Sequence, residues 1–155
     1  MKFEFLADRP DAINLVAQWY YDEWGHSKPG ASPAGIAKKL SLGLNRDRVP
    51  LLLLATDSEK VVAAVELKYR EMDIYPDKVH WLGGLYVTPG YRGRGLGVQL
   101  VAHALKLAKE LGISKLHLQT EKLDGGIYTS LGWRPLERAN NKGINVLVME
   151  IDIGR

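Results

Sequence analysis

Polar and apolar residues alternate from Lys2 to Ala7, which predicts a short first strand. Asp8-Arg9-Pro10-Asp11 then has the look of a helix start, with Asp8 at the cap and acids near the first turn. The helix it opens carries Ile13, Val16, Ala17, Tyr20 and Trp24 on one face, and Gly25 with His26 to Ala31 ends it. Ser32-Pro33 predicts a second capped helix carrying Ile36, Leu40 and Leu44. Leu51 to Thr56 is an apolar run of the buried type, Asp57 to Lys60 a turn, and Val61 to Tyr69 its hairpin partner. A loop from Glu71 to Lys78 leads to a strand from His80 to Val87. Beyond a glycine-rich segment, Leu96, Leu100, Val101, Ala104, Ala108 and Leu111 recur at helical spacing, and Gly112 closes that helix. Lys115 to Thr120 is a strand with Leu116 and Leu118 on one face. A short helix from Gly126 to Leu131, ended by Gly132, precedes two last strands, Trp133 to Glu137 and Asn145 to Ile153.

The order is strand, two helices, three strands, glycine loop, helix, strand, helix and two strands. It predicts an α/β (α+β) fold, a mixed sheet with helices on both faces. The central strand–loop–helix–strand unit is expected to be a right-handed crossover. No repeat or linker is visible, so residues 1–155 read as one domain.

Composition mainly removes possibilities. With no cysteine, disulfides, cysteine–zinc sites and a cysteine nucleophile are excluded. The net charge of +3 suits an anionic ligand but is too small and scattered for nucleic acid. The longest apolar run, Val49 to Ala55, is too short to span a membrane. Met1 to Phe5 lacks the apolar core of a signal peptide, and a cytoplasmic location is the expectation. The four histidines show no metal-ligand spacing, so no metal is expected. His103 and His117 read as a helix-surface and a strand-surface residue.

The segment from Val87 to Gly97 (VTPGYRGRGLG) carries the most chemistry. Gly93, Gly95 and Gly97 alternate with Arg94 and Leu96 between a strand and a helix. Such a loop can turn its backbone N–H groups inward, and the following helix adds the positive end of its dipole. Arg92 and Arg94 supply charge at the same place. The result is a seat for phosphates, unless the segment is only a glycine-rich turn. A dinucleotide loop needs a third glycine where Val98 stands, and a P-loop needs Lys-Ser/Thr where Val98-Gln99 stand.

The loop resembles the acyl-CoA pyrophosphate loop of the GNAT acetyltransferases, with Arg92, Gly95 and Gly97 filling its pattern. Leu85-Tyr86-Val87 before it resembles the strand that offers backbone groups to the pantetheine arm. Downstream, Ile127-Tyr128-Thr129-Ser130-Leu131-Gly132-Trp133 resembles the family segment holding the tyrosine that protonates the leaving thiolate. The segments Trp81 to Val87 and Trp19 to Gly25 resemble a bacterial branch whose substrates are mostly unassigned. The resemblance implies a mixed, mostly antiparallel sheet of about seven strands flanked by about four helices. It also implies acetyl-CoA as acyl donor. Leu85, Tyr86, Val87, Arg92, Gly93, Arg94, Gly95, Leu96 and Gly97 would bind the donor, and Tyr128 would be the acid. Two positions depart from the family. Glu121 stands where many members have a cofactor-contacting asparagine, and a carboxylate there suits substrate or solvent better than pyrophosphate. Trp81 stands where histone-modifying relatives carry a glutamate base, so the base does not carry over.

Acetyl transfer to an amine requires a held pyrophosphate, a polarised thioester carbonyl, a deprotonated amine and a protonated thiolate. A backbone N–H near Leu85 to Val87 could polarise the carbonyl, and Gly83-Gly84 makes the necessary bulge or close approach plausible. Glu66, Glu121 and His80 are candidate bases, each with an ordinary solvent-facing or structural alternative, and water could serve instead. Glu23, Trp24, Tyr75 and Trp81 are candidates for the acceptor pocket, since aromatics and a carboxylate suit a cationic amine; Trp24 could equally be core. The sequence therefore reads as an acetyl-CoA-dependent N-acetyltransferase that acts on a primary amine by direct transfer in a ternary complex. A small-molecule amine is favoured over a protein or peptide amine. A non-catalytic acyl-CoA sensor and a phosphate-binding protein of another family are the alternatives. Monomer and homodimer both remain open.

Overall fold

The structure, a computed structural model, describes residues 1–154. The elements follow the expected order: β1 (Lys2–Phe5), α1 (Ile13–Glu23), α2 (Pro33–Leu40), β2 (Leu51–Asp57), β3 (Lys60–Tyr69), β4 (His80–Val87), α3 (Leu96–Glu110), β5 (Lys115–Thr120), α4 (Ile127–Ser130), β6 (Arg134–Asn141) and β7 (Ile144–Asp152). The strands form a seven-stranded sheet in the order β1-β2-β3-β4-β5-β7-β6. β1/β2, β5/β7 and β6/β7 pair antiparallel, and β4/β5 pair parallel with Trp81 opposite His117. The chain divides into two compact units, Met1–Glu66 with Gly84–Ala104, and Leu67–Gly83 with the chain from Leu105 onward.

In the first unit, the continuous apolar run of β2 follows from burial on both faces, and Leu51 through Leu54 are each at most 2% exposed. Each buried leucine contributes about 1.5–3 kcal/mol relative to exposure, so this strand is a large share of the unit's stabilisation. Leu6, Val16, Ala17, Tyr20 and Leu40 join Leu52 and Leu54 in one cluster, against which Trp19, Trp24 and Tyr86 pack. The helical face expected for α1 is the face it buries. Its start differs from expectation. Two short 3₁₀ turns, Leu6–Asp8 and Pro10–Ala12, precede α1, whose cap residue Ala12 offers no side-chain acceptor. Asp8 instead pairs with Arg46, since the 3₁₀ turns place it ahead of the helix. Ser32 caps α2 as expected, accepting from the Gly35 N–H at 3.0 Å with Pro33 in the first turn.

In the second unit, Leu116 and Leu118 of β5 are buried, as their alternation predicts. His117 corrects the expectation of a surface residue, since it is only 5% exposed. It lies on a strand paired on both sides, opposite Trp81 on β4 and Glu150 on β7. Its Nε2 bonds Glu150 Oε2 at 2.8 Å, and its ring meets the Trp81 indole at 5.6 Å. Glu150 also pairs with Arg134 and Lys115. β6 runs further than expected, to Asn141, because an edge strand needs no apolar alternation, and Arg134 to Arg138 are all exposed.

Burial lowers the His117 pKa, outweighing the opposite pull of Glu150. Burial would raise that of Glu150, but the bonds from His117 and Arg134 prevail and lower it. Both shifts make the unfolded chain take up protons before the native one. His117 thus costs stability as pH falls below its unfolded value of about 6.5, and the contribution of Glu150 is lost at lower pH still. Urea unfolding between pH 7.5 and 5 should show stability falling on acidification, with His117 contributing up to about 1.4 kcal/mol per pH unit. His117→Gln should flatten that slope; an unchanged slope would show that His117 is not buried neutral.

Candidate functional site

β4 bends around a single glycine in the first unit. Gly84 has φ = +59°, in the left-handed region that side chains rarely adopt. A Cβ there would lie 2.6 Å from Tyr20 Oη and 2.7 Å from Glu66 Oε2. The Tyr20 hydroxyl, carried in on α1, donates to the Gly84 carbonyl at 2.6 Å. Burial, helped by the Glu66 carboxylate, pushes the Tyr20 phenol well above its ordinary pKa and keeps it a donor. The close approach expected at Gly83-Gly84 is therefore real and centred on Gly84. Glu66, which alternation could have left on an ordinary solvent face, is half-buried beside it. Leu85, Tyr86 and Val87 continue the strand half-buried.

The glycine loop follows. The Thr88 N–H donates to the Val62 carbonyl at 2.9 Å, anchoring the loop to β3. A 3₁₀ turn spans Pro89–Tyr91, and Arg92 Nε donates to the Val87 carbonyl at 2.8 Å. Gly93 and Gly95 take φ of +75° and +78°, with nothing within 4 Å of where a Cβ would stand. Their requirement is conformational rather than steric, and space beside the loop stays open. Among the described residues, no N–H from Gly93 to Gly97 has a hydrogen-bond acceptor. The 15 residues of α3 begin at Leu96, so these donors coincide with the positive end of a full helix. Arg92 and Arg94 are exposed beside them. Such an arrangement fits a diphosphate. A groove of about 410 Å³ bordered by Arg9, Leu15, Trp19, Lys60 and Thr88 adjoins the first loop residue. Of the acceptor candidates in this unit, Glu23 is exposed, and Trp24 is half-buried against Tyr20 with ring centroids 5.5 Å apart.

The remaining candidates lie in the second unit. Tyr128 is half-buried on the one-turn α4, edge-on to Trp133 at 5.9 Å. Burial first, and the Glu71 carboxylate second, raise its pKa to about 12. Trp81 is 0% exposed, and its indole N–H donates to the Lys78 carbonyl at 2.8 Å. This corrects its expected place in an acceptor pocket: a strand flanked on both sides draws the indole into the core. Tyr75 donates to Glu137 at 2.7 Å. Glu121 is exposed just past β5, and His80 is partly buried, its pKa lowered by desolvation. Sequence reading passed over Glu71, whose Oε1 accepts from Lys68 at 2.7 Å and whose Oε2 is buried without a partner. No periodic signal marks a residue in an irregular loop. Among the described residues, no group of three or more His, Asp or Glu is placed to hold a metal ion, and no helix is long and apolar enough to cross a membrane.

Residues 10–126 match the Acetyltransferase (GNAT) family. The chain belongs to that family and is an acyltransferase of the N-acetyltransferase class. Its fold is similar to that of an aminoglycoside 6′-acetyltransferase of type Ii, at TM-score 0.77 and 18% identity over 100% of this chain and 99% of that one. It is also similar to an aminoglycoside 6′-N-acetyltransferase complexed with coenzyme A, at TM-score 0.76 and 16% identity over 100% and 98%. A third similar structure is the aminoglycoside 6′-N-acetyltransferase from Enterococcus faecium, at TM-score 0.74 and 16% identity over 100% and 98%. Comparison with curated protein sequences gives no match.

Gly84→Ala forces a methyl group onto Tyr20 and Glu66 and a left-handed φ onto alanine. It should cost about 3 kcal/mol in urea unfolding. Gly90→Ala, with nothing within 4 Å of the new methyl, should stay within about 0.5 kcal/mol of wild type. Equal effects of the two would remove the close packing at Gly84.

Proposed function

We propose that this chain, acting as one acetyltransferase domain, moves the acetyl group of acetyl-CoA to a primary amine of a small molecule by direct transfer in a ternary complex. The observation that carries the reading is the run of free N–H groups from Gly93 to Gly97 at the start of α3, with Arg92 and Arg94 beside it. Acetyl-CoA brings the activated acyl group as a thioester and two linked phosphates to be held. The N–H groups of Gly93 to Gly97 hold those phosphates, and a backbone N–H between Leu85 and Val87 polarises the thioester carbonyl. Glu66 is the preferred base among Glu66, Glu121 and His80, because it sits at the Gly84 bend from which that strand segment departs. A water relay to it satisfies the same chemistry. That the similar structures include aminoglycoside 6′-acetyltransferases supports a small-molecule acceptor.

Tyr128 is the acid in this reading. A phenol at about 12 is a weaker acid than a thiol at about 8.5. Tyr128 therefore stabilises the developing thiolate as a hydrogen-bond donor, and it passes its proton to the sulfur only in concert with delivery of the amine's released proton to its own oxygen, so no phenolate forms. Because it stays protonated throughout the working range, it should add no basic limb to the pH profile of kcat below about pH 11.

Two measurements test the reading. Calorimetric titration should give micromolar acetyl-CoA affinity, weakened for analogues lacking the diphosphate, and a panel of amines should include at least one that releases free CoA. Binding without release on any amine would favour the sensor alternative. Tyr128→Phe should lower kcat at least about tenfold with little change in acetyl-CoA affinity; wild-type turnover would take Tyr128 out of the mechanism.

A further inference from the structure

Both arginines of the loop rest on tyrosine rings, and each ring is fixed from a second direction. The Arg92 guanidinium lies over Tyr86, 5.5 Å from its centroid. The Tyr86 ring is in turn stacked on Trp19 of α1, with centroids 5.0 Å apart and planes at 23°. Arg94 lies over Tyr91 at 5.3 Å, and the Tyr91 hydroxyl donates to Asp57 Oδ2, at the end of β2, over 2.6 Å. Two separate chains of contact, Trp19–Tyr86–Arg92 and Asp57–Tyr91–Arg94, thus run from the core elements of the first unit to its exposed cations.

An arginine free in solvent must surrender most of its rotamer freedom when it meets a phosphate. A guanidinium already seated on a fixed ring has surrendered part of that freedom in the unliganded protein, so less affinity is lost on binding. A contact with the ring leaves most of the five guanidinium N–H donors available for an anion. For Arg92 the bond from Nε to the Val87 carbonyl fixes one edge of the fork as well.

We propose that Trp19 and Asp57 are positioning residues for donor recognition, each fixing the tyrosine ring on which one loop arginine is held ready for the diphosphate. The inference rests on the acetyl-CoA reading above, and neither residue need touch the donor.

The test is a double-mutant cycle read by calorimetric titration with CoA. Trp19→Leu and Asp57→Ala should each weaken CoA binding by about three- to fivefold, the scale of an exposed cation–π contact. Trp19→Phe, which keeps an aromatic face, should restore most of the loss. Trp19→Leu combined with Arg92→Ala should bind no more weakly than Arg92→Ala alone, since the tryptophan acts only through that arginine. Tyr91→Phe keeps the ring and removes its bond to Asp57 without disturbing the core, so it should match Asp57→Ala even if a core variant fails to fold. Failure of the wild-type protein to bind CoA would overturn the donor reading and this inference with it. Wild-type binding with additive Trp19 and Arg92 penalties, or with variant affinities at or above wild type, would overturn the positioning role alone.

Discussion

The hydrogen bond from the Tyr20 phenol to the Gly84 carbonyl is the constraint on which the candidate site depends. A strand with φ near +59° at one residue cannot continue straight. The left-handed residue needs an outside partner to hold its turned carbonyl, and a buried phenol 2.6 Å away supplies one. Glu66 closes the third side, so the position admits glycine alone. Three elements therefore meet at one backbone atom group: α1 through Tyr20, β3 through Glu66, and β4 through its own bend. The strand residues Leu85 to Val87 and the loop after them start from that fixed point, and their direction is set before any ligand arrives.

The second unit has a comparable device with a different purpose. His117, Glu150 and Arg134 join β5, β7 and β6 in one polar chain. His117 Nδ1 is buried without a partner. A buried imidazole with one satisfied and one orphaned nitrogen is tolerable only while neutral, because charging it would bury a cation with a donor left unused. This chain ties strands together at neutral pH at the expense of acid tolerance, whereas the Tyr20–Gly84 bond, whose donor titrates far above neutrality, carries no such dependence.

The element order was legible because periodicity decides it: the apolar run of β2, the helical spacing of α3 and the alternation of β5 each have one physical reading. The glycine loop was legible for a related reason, since alternate glycines between a strand and a helix are costly unless the backbone needs left-handed angles, as Gly93 and Gly95 do. What stayed hidden was burial imposed by the sheet as a whole. Trp81 and His117 lie opposite each other on adjacent strands, and nothing local tells a polar or aromatic residue that both its neighbours will be covered. Tyr20 was hidden in the opposite way. Helical spacing assigns it to the core, where it does sit, and cannot show that its hydroxyl reaches a strand far along the chain. Asp8, taken as a cap from its local sequence, lost that role when the chain turned through 3₁₀ geometry first.

The selectivity proposed for the loop would follow from which of its donors are fixed. Arg92 and Arg94 are exposed, and at physiological salt charges beyond about 8 Å are largely screened. A site relying on them alone would attract any polyanion weakly. The N–H groups from Gly93 to Gly97 belong to a backbone whose angles are set by two left-handed glycines and by the first turn of α3. Their spacing cannot relax to suit another anion, and their helix dipole acts within a turn, at ranges where salt screens little. On the proposed reading, the backbone would discriminate by geometry while the arginines add attraction, so that a net charge of only +3 would suffice for a ligand carrying several phosphate charges.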